Sequence, residues 1–349
     1  MEKLTARRPL GRSGILVPPL FFGTSALGNL YRAPSYEEKR AIAEEWFRWV
    51  EPPVVLDSAG KYGAGLALET IGRLLGDLGV RPEEVVISNK LGWQRMALSG
   101  PEPTFEPGVW IDIGHDAVQT ISYAGIRECW EQGCALLGGA YRPLLASVHD
   151  PDEYIAAGSD ERERGKRLES VLEAYRALSE LKRMGELGAV GIGAKDWRII
   201  REVSAQVELD WAMFACSYTV YTHPADLREL VERLARHGVG VVNSAVFNAG
   251  FLTGGDYFDY RRVDPATDGE LFSWRSRFFA LCSAHAVKPA DACVEFGLSA
   301  PGIVAVALNT GNPRHVGTNV ESVTAKAPPA FWQEMKRAGL IEPDYPYLG

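Results

Sequence analysis

Eight short apolar runs alternate with amphipathic helical stretches along the 349 residues, and this predicts a closed (β/α)8 barrel, also called a TIM barrel. The runs are rich in Val, Ile and Leu, which is typical of parallel strands buried on both faces. An open doubly wound sheet also fits the alternation, but eight repeats favour closure. The predicted strands occupy residues 18–23, 52–57, 84–90, 143–150, 188–194, 210–217, 238–245 and 302–309.

Helices are predicted where apolar residues recur at helical spacing between the strands. The first of them begins with a capping signal, Ser35 followed by Glu38. The second ends at Gly79, a typical helix stop. The predicted helices cover residues 35–50, 67–79, 167–188, 226–238 and 288–298.

Three segments depart from the alternation. Residues 8–18 predict an N-terminal β-hairpin that turns at Arg12–Gly14 and closes the end of the barrel opposite the active site. Residues 93–116 and 251–273 predict long ordered loops after strands three and seven. Both loops follow the carboxyl ends of strands, where barrel enzymes carry their chemistry. No linker interrupts the pattern, so residues 1–349 are expected to form one domain.

The composition narrows the class of protein. Apolar residues make up 46% and charged residues 23% of the chain, as in a globular enzyme. The net charge of -8 argues against a nucleic-acid partner, and no apolar run predicts a signal peptide or a membrane span. The five cysteines contain no CxxC pair, so we expect reduced thiols, no metal site and a cytoplasmic location.

Four chemistry-bearing residues fall at or just after predicted strand ends: Asp57, Tyr62, Lys90 and His149. The carboxyl ends of strands two, three and four meet at one rim of a barrel, so these side chains are expected to converge. An ammonium beside a phenol lowers the pKa of the phenol, and a carboxylate keeps that ammonium charged. Tyr62 is therefore predicted to exchange a proton near neutral pH, with His149 bonding the substrate oxygen.

Each of the four residues also has an ordinary structural explanation. An Asp at a strand end can cap a helix, a Tyr can pack in the core, a Lys can be solvated and a His can be structural. Their coincidence at one predicted rim is what favours a catalytic site.

Several motifs resemble those of the aldo-keto reductase family. DSAGKYGAGLALETIG at 57–72 resembles the second-strand motif, with its Asp, its Tyr and the Glu-bearing helix that follows. SNKLGW at 88–93 resembles the lysine strand of the family, and SVHDPD at 147–152 resembles its histidine strand. Residues 8–28 resemble the N-terminal hairpin and first strand, and 251–255 the turn after strand seven. The resemblance implies a nicotinamide-dependent oxidoreductase with Asp57, Tyr62, Lys90 and His149 as catalytic tetrad.

The resemblance also implies a dinucleotide site along the rest of the rim. The residues that it places there are Gly23, Thr24 and Ser25, with Asp57, at the nicotinamide end, Gly193, Ala194 and Lys195 near the carboxamide, Ser244, Ala245, Phe247, Gly250 and Leu252 along the pyrophosphate, and Asn309, Thr310, Gly311, His315 and Asn319 around the adenosine.

The sequence departs from the family at several of these positions. Where family members commonly have Ser-Asn after strand five, this chain has Ala194-Lys195. A Gln on strand six is replaced by Ala215, and an aromatic residue on strand seven by Ser244. NADP-binding members offer Lys and Arg to the 2′-phosphate, whereas Asn309 and His315 stand here. NAD is therefore the predicted cofactor in preference to NADP, although Arg314 or Lys195 offers a cation.

The KLGW, VGIGAKDW and SYTVY segments most resemble the branch of D-threo-aldose 1-dehydrogenases, also called L-fucose or galactose dehydrogenases, and of pyridoxal 4-dehydrogenases. This resemblance implies oxidation of an aldose at C1 to a lactone, or of a related carbinol. A general aldehyde or ketone reductase is the alternative, and a catalytically silent cofactor-binding regulatory subunit is the alternative from another class. The expected partner is a small carbohydrate or carbonyl compound.

For such a substrate, Tyr62, His149, Trp93 and Trp110 are the predicted contacts. The aromatic faces considered for a sugar ring are Trp93, Trp110, Tyr123, Tyr218 and Trp274, and the groups considered for its hydroxyls are Glu102, Asp112, His115 and Arg277.

Overall fold

The computed structural model describes residues 2–349, and its centre is a closed barrel of eight parallel strands. Three two-stranded antiparallel hairpins lie outside this barrel. The strands are, in chain order, β1 (Arg8–Pro9), β2 (Leu16–Val17), β3 (Leu20–Gly23), β4 (Val54–Ala59), β5 (Val85–Leu91), β6 (Trp93–Ala97), β7 (His115–Gln119), β8 (Leu145–His149), β9 (Ala189–Ala194), β10 (Trp211–Ala215), β11 (Gly240–Ser244), β12 (Tyr257–Phe258), β13 (Arg261–Arg262) and β14 (Ile303–Asn309).

Helices follow the barrel strands and cover the outside of the barrel. Short 3-10 helices lie at Ser25–Gly28, Pro82–Glu84 and Phe251–Thr253. The α-helices are α1 (Tyr36–Trp49), α2 (Leu66–Asp77), α3 (Tyr123–Leu136), α4 (Pro151–Ala156), α5 (Glu161–Arg183), α6 (Trp197–Ser204), α7 (Ala225–Arg236), α8 (Gly269–Ala284), α9 (Pro289–Gly297), α10 (Arg314–Thr324) and α11 (Pro329–Arg337).

The barrel order is β3-β4-β5-β8-β9-β10-β11-β14, which closes back on β3. All eight predicted strands are confirmed, and the alternative of an open sheet is wrong. The barrel interior is filled by one apolar cluster to which every barrel strand contributes, since such a barrel is a packed core and not a pore. Its members include Phe21, Val55, Val86, Leu145, Ala189, Trp211, Val242 and Ala305.

The predicted N-terminal hairpin is confirmed, with Arg8 opposite Val17 and Pro9 opposite Leu16. Leu10 is fully buried and belongs to the interior cluster of the barrel. Gly11 has a φ of +55°, and a Cβ there would lie 2.3 Å from the carbonyl oxygen of Asp210. Asp210 directly precedes β10, so the hairpin closes the amino end of the barrel, opposite the carboxyl rim.

The predicted helices are confirmed, with shifts at their ends. Ser35 and Glu38 form the capping box at α1, since each side chain meets the backbone N–H of the other. The third predicted helix begins earlier than expected, at Glu161, because Asp160 caps it. Helices α3, α4, α6, α8, α10 and α11 were not predicted, although Ser122 caps α3 in the same way.

The two long loops contain more regular structure than predicted. Strands β6 and β7 pair at the two ends of the first loop, so that its irregular part is residues 98–114. The second segment contains the 3-10 helix at Phe251–Thr253 and the small β12–β13 hairpin, and α8 begins within it. The spacing of apolar residues does not reveal the backbone hydrogen bonds that form these additional elements, so the sequence predicted loops in both places.

The cysteines are free, and four of the five are buried, which agrees with the expectation of reduced thiols. Among residues 2–349, no helix is both long and apolar enough to cross a bilayer.

Gly191 offers a direct test of the interior packing. It lies beside Trp211 across the β9–β10 pair, and a Cβ at position 191 would lie 2.1 Å from the indole ring. Since Trp211 is fully buried, we expect Gly191→Ala to lower the free energy of unfolding by about 1–3 kcal/mol.

The matched control is Gly165→Ala on α5, where nothing lies within 4 Å of the added methyl group. Helix propensity should make this variant more stable by about 0.5–1 kcal/mol. Urea unfolding of both variants measures the difference, and equal effects would contradict the packing described here.

Candidate active site

The four predicted catalytic side chains meet at the carboxyl rim of the barrel. Asp57 lies in β4, Lys90 in β5 and His149 at the end of β8, while Tyr62 lies in the turn after β4. The Nζ of Lys90 is 2.5 Å from Oδ2 of Asp57 and 3.3 Å from the hydroxyl oxygen of Tyr62. The Tyr62 and His149 rings meet edge to face, with centroids 5.7 Å apart. The strand order therefore gathers the four groups as the sequence predicted.

Asp57 and Lys90 form a buried ion pair, each being 4% exposed. Ser88 donates a further hydrogen bond to Oδ1 of Asp57, at 3.3 Å. Burial by itself would lower the pKa of Lys90, but Asp57 and the Tyr62 oxygen outweigh burial and raise it. Lys90 is consequently a permanent cation beside the phenol.

The direction of the Tyr62 pKa differs from the prediction. Burial raises the pKa of Tyr62, and the nearby Lys90 ammonium offsets only part of this rise because Asp57 acts in the opposite direction. The expectation of a lowered pKa counted the ammonium and missed the loss of water. Tyr62 is therefore protonated at neutral pH in this state of the protein.

His149 is neutral. Burial, followed by the positive charges of Lys61 and Lys90, lowers its pKa well below the ordinary value. Its Nε2 lies 3.4 Å from Oδ2 of Asp150, and its Nδ1 is buried without a hydrogen-bond partner. A neutral imidazole can donate one hydrogen bond and accept another, which suits it to hold a substrate oxygen.

An aromatic wall stands on one side of Tyr62. Trp110 is 6% exposed, and its ring centroid is 5.8 Å from that of Tyr62. Phe105 stacks on Trp110, and Trp93 lies beyond it at 5.8 Å from Phe105. Trp93 and Trp110, the two predicted substrate contacts, are thus brought to the same side of the rim.

Other aromatic residues considered for a sugar ring lie elsewhere. Tyr218 is fully buried, and its hydroxyl is bonded to that of Tyr345 in the core. Tyr123 bonds Glu180 on the outer helices, and Trp274 packs on Phe278 within α8. Arg277, considered for a sugar hydroxyl, donates to the carbonyl of Ala338. Full burial makes Tyr218 unavailable to a sugar ring, which pattern alone does not show, and the other three residues have partners within the chain.

Four charged residues that sequence reasoning missed surround the site. Lys61 is 6% exposed, and its Nζ lies 2.7 Å from Glu106 and 3.6 Å from Asp150. Glu153 lies 3.9 Å from the same ammonium. Lys61 directly precedes Tyr62 in sequence and Asp150 directly follows His149, and this adjacency could have placed both residues near the site. Glu106 lies in an irregular loop and gave none.

The remaining carboxyl ends of the strands form a surface beside the tetrad. Gly193 pairs with His149, and a Cβ on it would make ordinary contacts with the side chains of Lys90, at 3.8 Å, and Met213, at 4.0 Å. Ala215 and Ser244 are small and partly exposed. Small residues at these ends leave room for a flat ring, so the surface fits a nicotinamide group.

The loop after β11 continues this surface. Ala245, Asn248, Ala249 and Gly250 have positive φ angles. Backbone with such residues forms concavities that bind anions, so the loop fits a pyrophosphate. The side chain of Leu252 is fully buried, which leaves only its backbone for such a contact.

Further predicted cofactor positions have partners within the chain. Thr24 is buried and donates to the Asp57 carbonyl at 2.9 Å, and Ser244 donates to the Phe214 carbonyl at 3.0 Å. The Nζ of Lys195 lies 2.7 Å from Glu153. The β12–β13 hairpin spans the rim, because Tyr257 stacks on Tyr31 and Tyr260 lies under the Lys195 ammonium.

The predicted adenosine positions follow β14 and enter α10. Asn309 and His315 are exposed, as is Arg314. Arg32 was not predicted here, yet it donates to the carbonyl of Gly311 at 3.3 Å. Its guanidinium is paired with Glu38 at 3.1 Å, so this cation is already partly neutralised.

A parallel barrel with a phenol, an ammonium, a carboxylate and an imidazole at its carboxyl rim has the groups that a proton-transferring barrel enzyme uses. The family model for the aldo/keto reductase family matches residues 19–339. The chain belongs to this family, as its motifs predicted. It is an oxidoreductase of carbonyl or CH–OH groups, in a family that uses NAD(P)H-type cofactors.

Two curated relatives are similar along almost the whole chain. Pyridoxal 4-dehydrogenase from Microbacterium luteolum is 28% identical over 351 residues, covering 97% of this chain and 99% of the relative. D-threo-aldose 1-dehydrogenase from Pseudomonas sp is 27% identical over 348 residues, covering 94% and 96%.

Solved structures support the same fold. An aldo-keto reductase from Bacillus halodurans in its holo form has a TM-score of 0.69 at 21% identity, covering 96% of both chains. The glycerol dehydrogenase from Gluconobacter oxydans has a TM-score of 0.68 at 16% identity, covering 98% of both.

The Asp57–Lys90 pair can be tested through stability. Asp57→Asn leaves a buried ammonium without its carboxylate, so we expect the free energy of unfolding to fall by about 3–5 kcal/mol. The double variant Asp57→Asn/Lys90→Met removes both charges and should recover part of this loss. Denaturant unfolding of the two variants measures both effects. An Asp57→Asn protein as stable as the wild type would show that the pair is not a buried ion pair.

Proposed function

We propose that the protein is an NAD(P)-dependent dehydrogenase that oxidises an aldose at C1 to a lactone. The observation that carries the proposal is the position of Tyr62, whose hydroxyl lies 3.3 Å from Lys90 and whose ring contacts those of His149 and Trp110. The hydroxyl is thus next to the Lys90 ammonium, which favours proton transfer, and the Trp110 ring beside Tyr62 offers an apolar face to a substrate ring. Similarity to an aldose dehydrogenase and a pyridoxal dehydrogenase supports oxidation of a cyclic substrate.

In the proposed reaction, the C1 hydroxyl of the sugar gives its proton to the Tyr62 oxygen while C1 loses a hydride. The O–H and C–H bonds at C1 break, and the C1–O single bond becomes a C=O double bond. The product is a lactone. Tyr62 must be deprotonated at that moment, which Lys90 favours through its positive charge. Asp57 keeps Lys90 charged in a buried place, where an unpaired ammonium would lose its proton.

His149 is proposed to hold the reacting oxygen. Since it is neutral, it donates one hydrogen bond to the substrate without carrying a charge of its own. Trp93 and Trp110 are proposed to face the substrate ring. A nicotinamide dinucleotide, when bound, supplies the hydride acceptor and a positively charged ring.

The dinucleotide is proposed to lie along the surface formed by the other strand ends. Gly23, Thr24, Ser25 and Asp57 would lie at the nicotinamide end, Gly193, Ala194 and Lys195 near the carboxamide, Ser244, Ala245, Phe247, Gly250 and Leu252 along the pyrophosphate, and Asn309, Thr310, Gly311, His315 and Asn319 around the adenosine.

We propose NAD in preference to NADP. A 2′-phosphate is held best by charge-assisted bonds, and Asn309 and His315 replace the cations that would make them. Arg32 lies near Gly311 but is paired with Glu38. The exposed Arg314 is a further cation at the adenosine end, so the preference for NAD rests on Asn309 and His315.

The role of Tyr62 can be tested by its loss. We expect Tyr62→Phe to lower kcat for oxidation by about 10²–10⁴-fold while the affinity for NAD changes little, because only the proton acceptor is removed.

In the wild type, the rate of oxidation should rise with pH above neutrality. Since burial raises the pKa of Tyr62, its basic form becomes more abundant only as the pH increases. Stopped-flow rates from pH 6 to 10 measure both effects, and a variant that keeps the wild-type rate would exclude Tyr62 from the reaction.

The substrate and cofactor can be tested together. Purified protein is mixed with L-fucose, other aldoses, pyridoxal and simple aldehydes, with NAD and with NADP in turn, and reduced cofactor is followed at 340 nm. We expect aldose oxidation with a higher kcat/KM for NAD. Activity on pyridoxal alone would favour the second candidate, which the pyridoxal 4-dehydrogenase relative supports. Rapid reduction of aldehydes without any oxidation of aldoses would indicate a general carbonyl reductase.

A further inference from the structure

Charged side chains of alternating sign join four consecutive loops of the carboxyl rim. We call them the charge chain: Glu106, Lys61, the pair Asp150 and Glu153, and Lys195. The Nζ of Lys61 lies 2.7 Å from Glu106, 3.6 Å from Asp150 and 3.9 Å from Glu153. Glu153 reaches Lys195 at 2.7 Å. The loops after β4, β5, β8 and β9 are thereby connected.

Lys61 is the centre of the charge chain and its most buried member. It is 6% exposed, and its ammonium also lies 5.1 Å from the centre of the Trp93 ring. Burial alone would lower the pKa of Lys61, but Asp150 and Glu106 outweigh burial and raise it. Lys61 is therefore charged, and it binds carboxylates on two sides.

On one side, Lys61 fixes the aromatic wall. Glu106 accepts from Lys61 with one carboxylate oxygen and from Nε1 of Trp110 with the other, at 2.7 Å. Trp110 is thus oriented with its ring 5.8 Å from that of Tyr62. The irregular loop at residues 98–114 has little secondary structure of its own, so this contact helps to set its position.

On the other side, Lys61 fixes the surroundings of His149. Asp150 lies between them, with its Oδ2 3.6 Å from Lys61 and 3.4 Å from Nε2 of His149. Asp150 has a φ of +46°, a backbone conformation that costs free energy and needs support from its contacts. The ammonium of Lys61 provides one such contact.

We propose that Lys61 is a positioning residue: its ammonium joins Glu106 to Asp150 and thereby holds the Trp110 wall and His149 in register on the two sides of Tyr62. The residue acts through its neighbours. The proposal deepens the proposed function, and its effect on turnover depends on that function, whereas its effects on the loop and on His149 do not.

The pKa of His149 is sensitive to the charge chain, because many charged groups face this side chain. Lys61 and Tyr62 face it from the turn after β4, Lys90 from β5, Asp150 and Glu153 from its own loop, and Lys195 from the end of β9. Removal of the Lys61 charge leaves the carboxylates less compensated. Protonation of His149 then becomes easier, so its pKa should rise.

The experiment compares Lys61→Met with Lys61→Arg, which restores the charge. Hydrogen exchange of residues 105–111 should become about tenfold faster in Lys61→Met, the factor expected when a hydrogen bond to a charged group is lost. The NMR titration of His149, assigned with His149→Gln, should move to higher pH. In Lys61→Arg, both properties should stay close to those of the wild type.

The matched control is Lys182→Met, which breaks a lysine–carboxylate pair with Asp210 at the other end of the barrel. It should change neither property. If Lys61→Met does not fold, Glu106→Gln tests the same link at a more exposed position, and faster exchange of residues 105–111 is again expected. Unchanged loop exchange and an unchanged His149 titration in the folded variant would overturn the proposal.

Kinetics then separate this proposal from the proposed function. If the wild type oxidises an aldose, Lys61→Met should raise KM more than it lowers kcat, and Lys61→Arg should restore KM. If the wild type turns over no substrate in the panel, the proposed function fails. The exchange and titration results still decide the role of Lys61.

Discussion

The buried Asp57–Lys90 ion pair is the interaction on which the site depends. Strands β4 and β5 pair with Asp57 beside Ser88 and Ala59 beside Lys90, so the register itself brings the two charges to the same rim. Neither charge would be stable alone in this position, because each is almost fully removed from water. Together they keep a permanent cation next to the Tyr62 hydroxyl.

Burial and neighbouring charges together set the pKa of each titratable group at the rim. For Lys90 and Lys61, nearby carboxylates outweigh burial and the pKa rises. For Tyr62, burial outweighs Lys90 and the pKa also rises. For His149, burial and neighbouring cations act together and the pKa falls. The rim thus combines charged lysines with a neutral phenol and a neutral imidazole, and the proposed oxidation requires the phenol to lose its proton first.

Much of the fold and the centre of the site could be predicted from the sequence. Buried parallel strands have short apolar runs, and all eight were found because their burial on both faces requires that composition. Asp57, Lys90 and His149 were found because each follows such a run. The motif around Tyr62 then completed the set, and its resemblance to a family gave the class of enzyme.

The features of the fold and the site that the sequence did not predict depend on contacts between residues far apart in the chain, which leave no pattern in the local sequence. Helix α8 begins inside a segment that was expected to be a loop, and β6 pairs with a partner beyond an irregular stretch. The exposure of Tyr218 could not be judged, since its hydroxyl partner is Tyr345, far away in sequence. The sign of the Tyr62 pKa shift depends on how much water the folded chain excludes. Glu106 joins Lys61 only after the loop at 98–114 has folded back over the rim.

The most direct measurement is a crystal structure of the protein grown with NAD. We expect the nicotinamide ring on the surface beside Tyr62 and His149, with the Asp57–Lys90 pair intact next to it. A nicotinamide bound away from this rim, or a Lys90 side chain separated from both Asp57 and Tyr62, would contradict the assignment of the site.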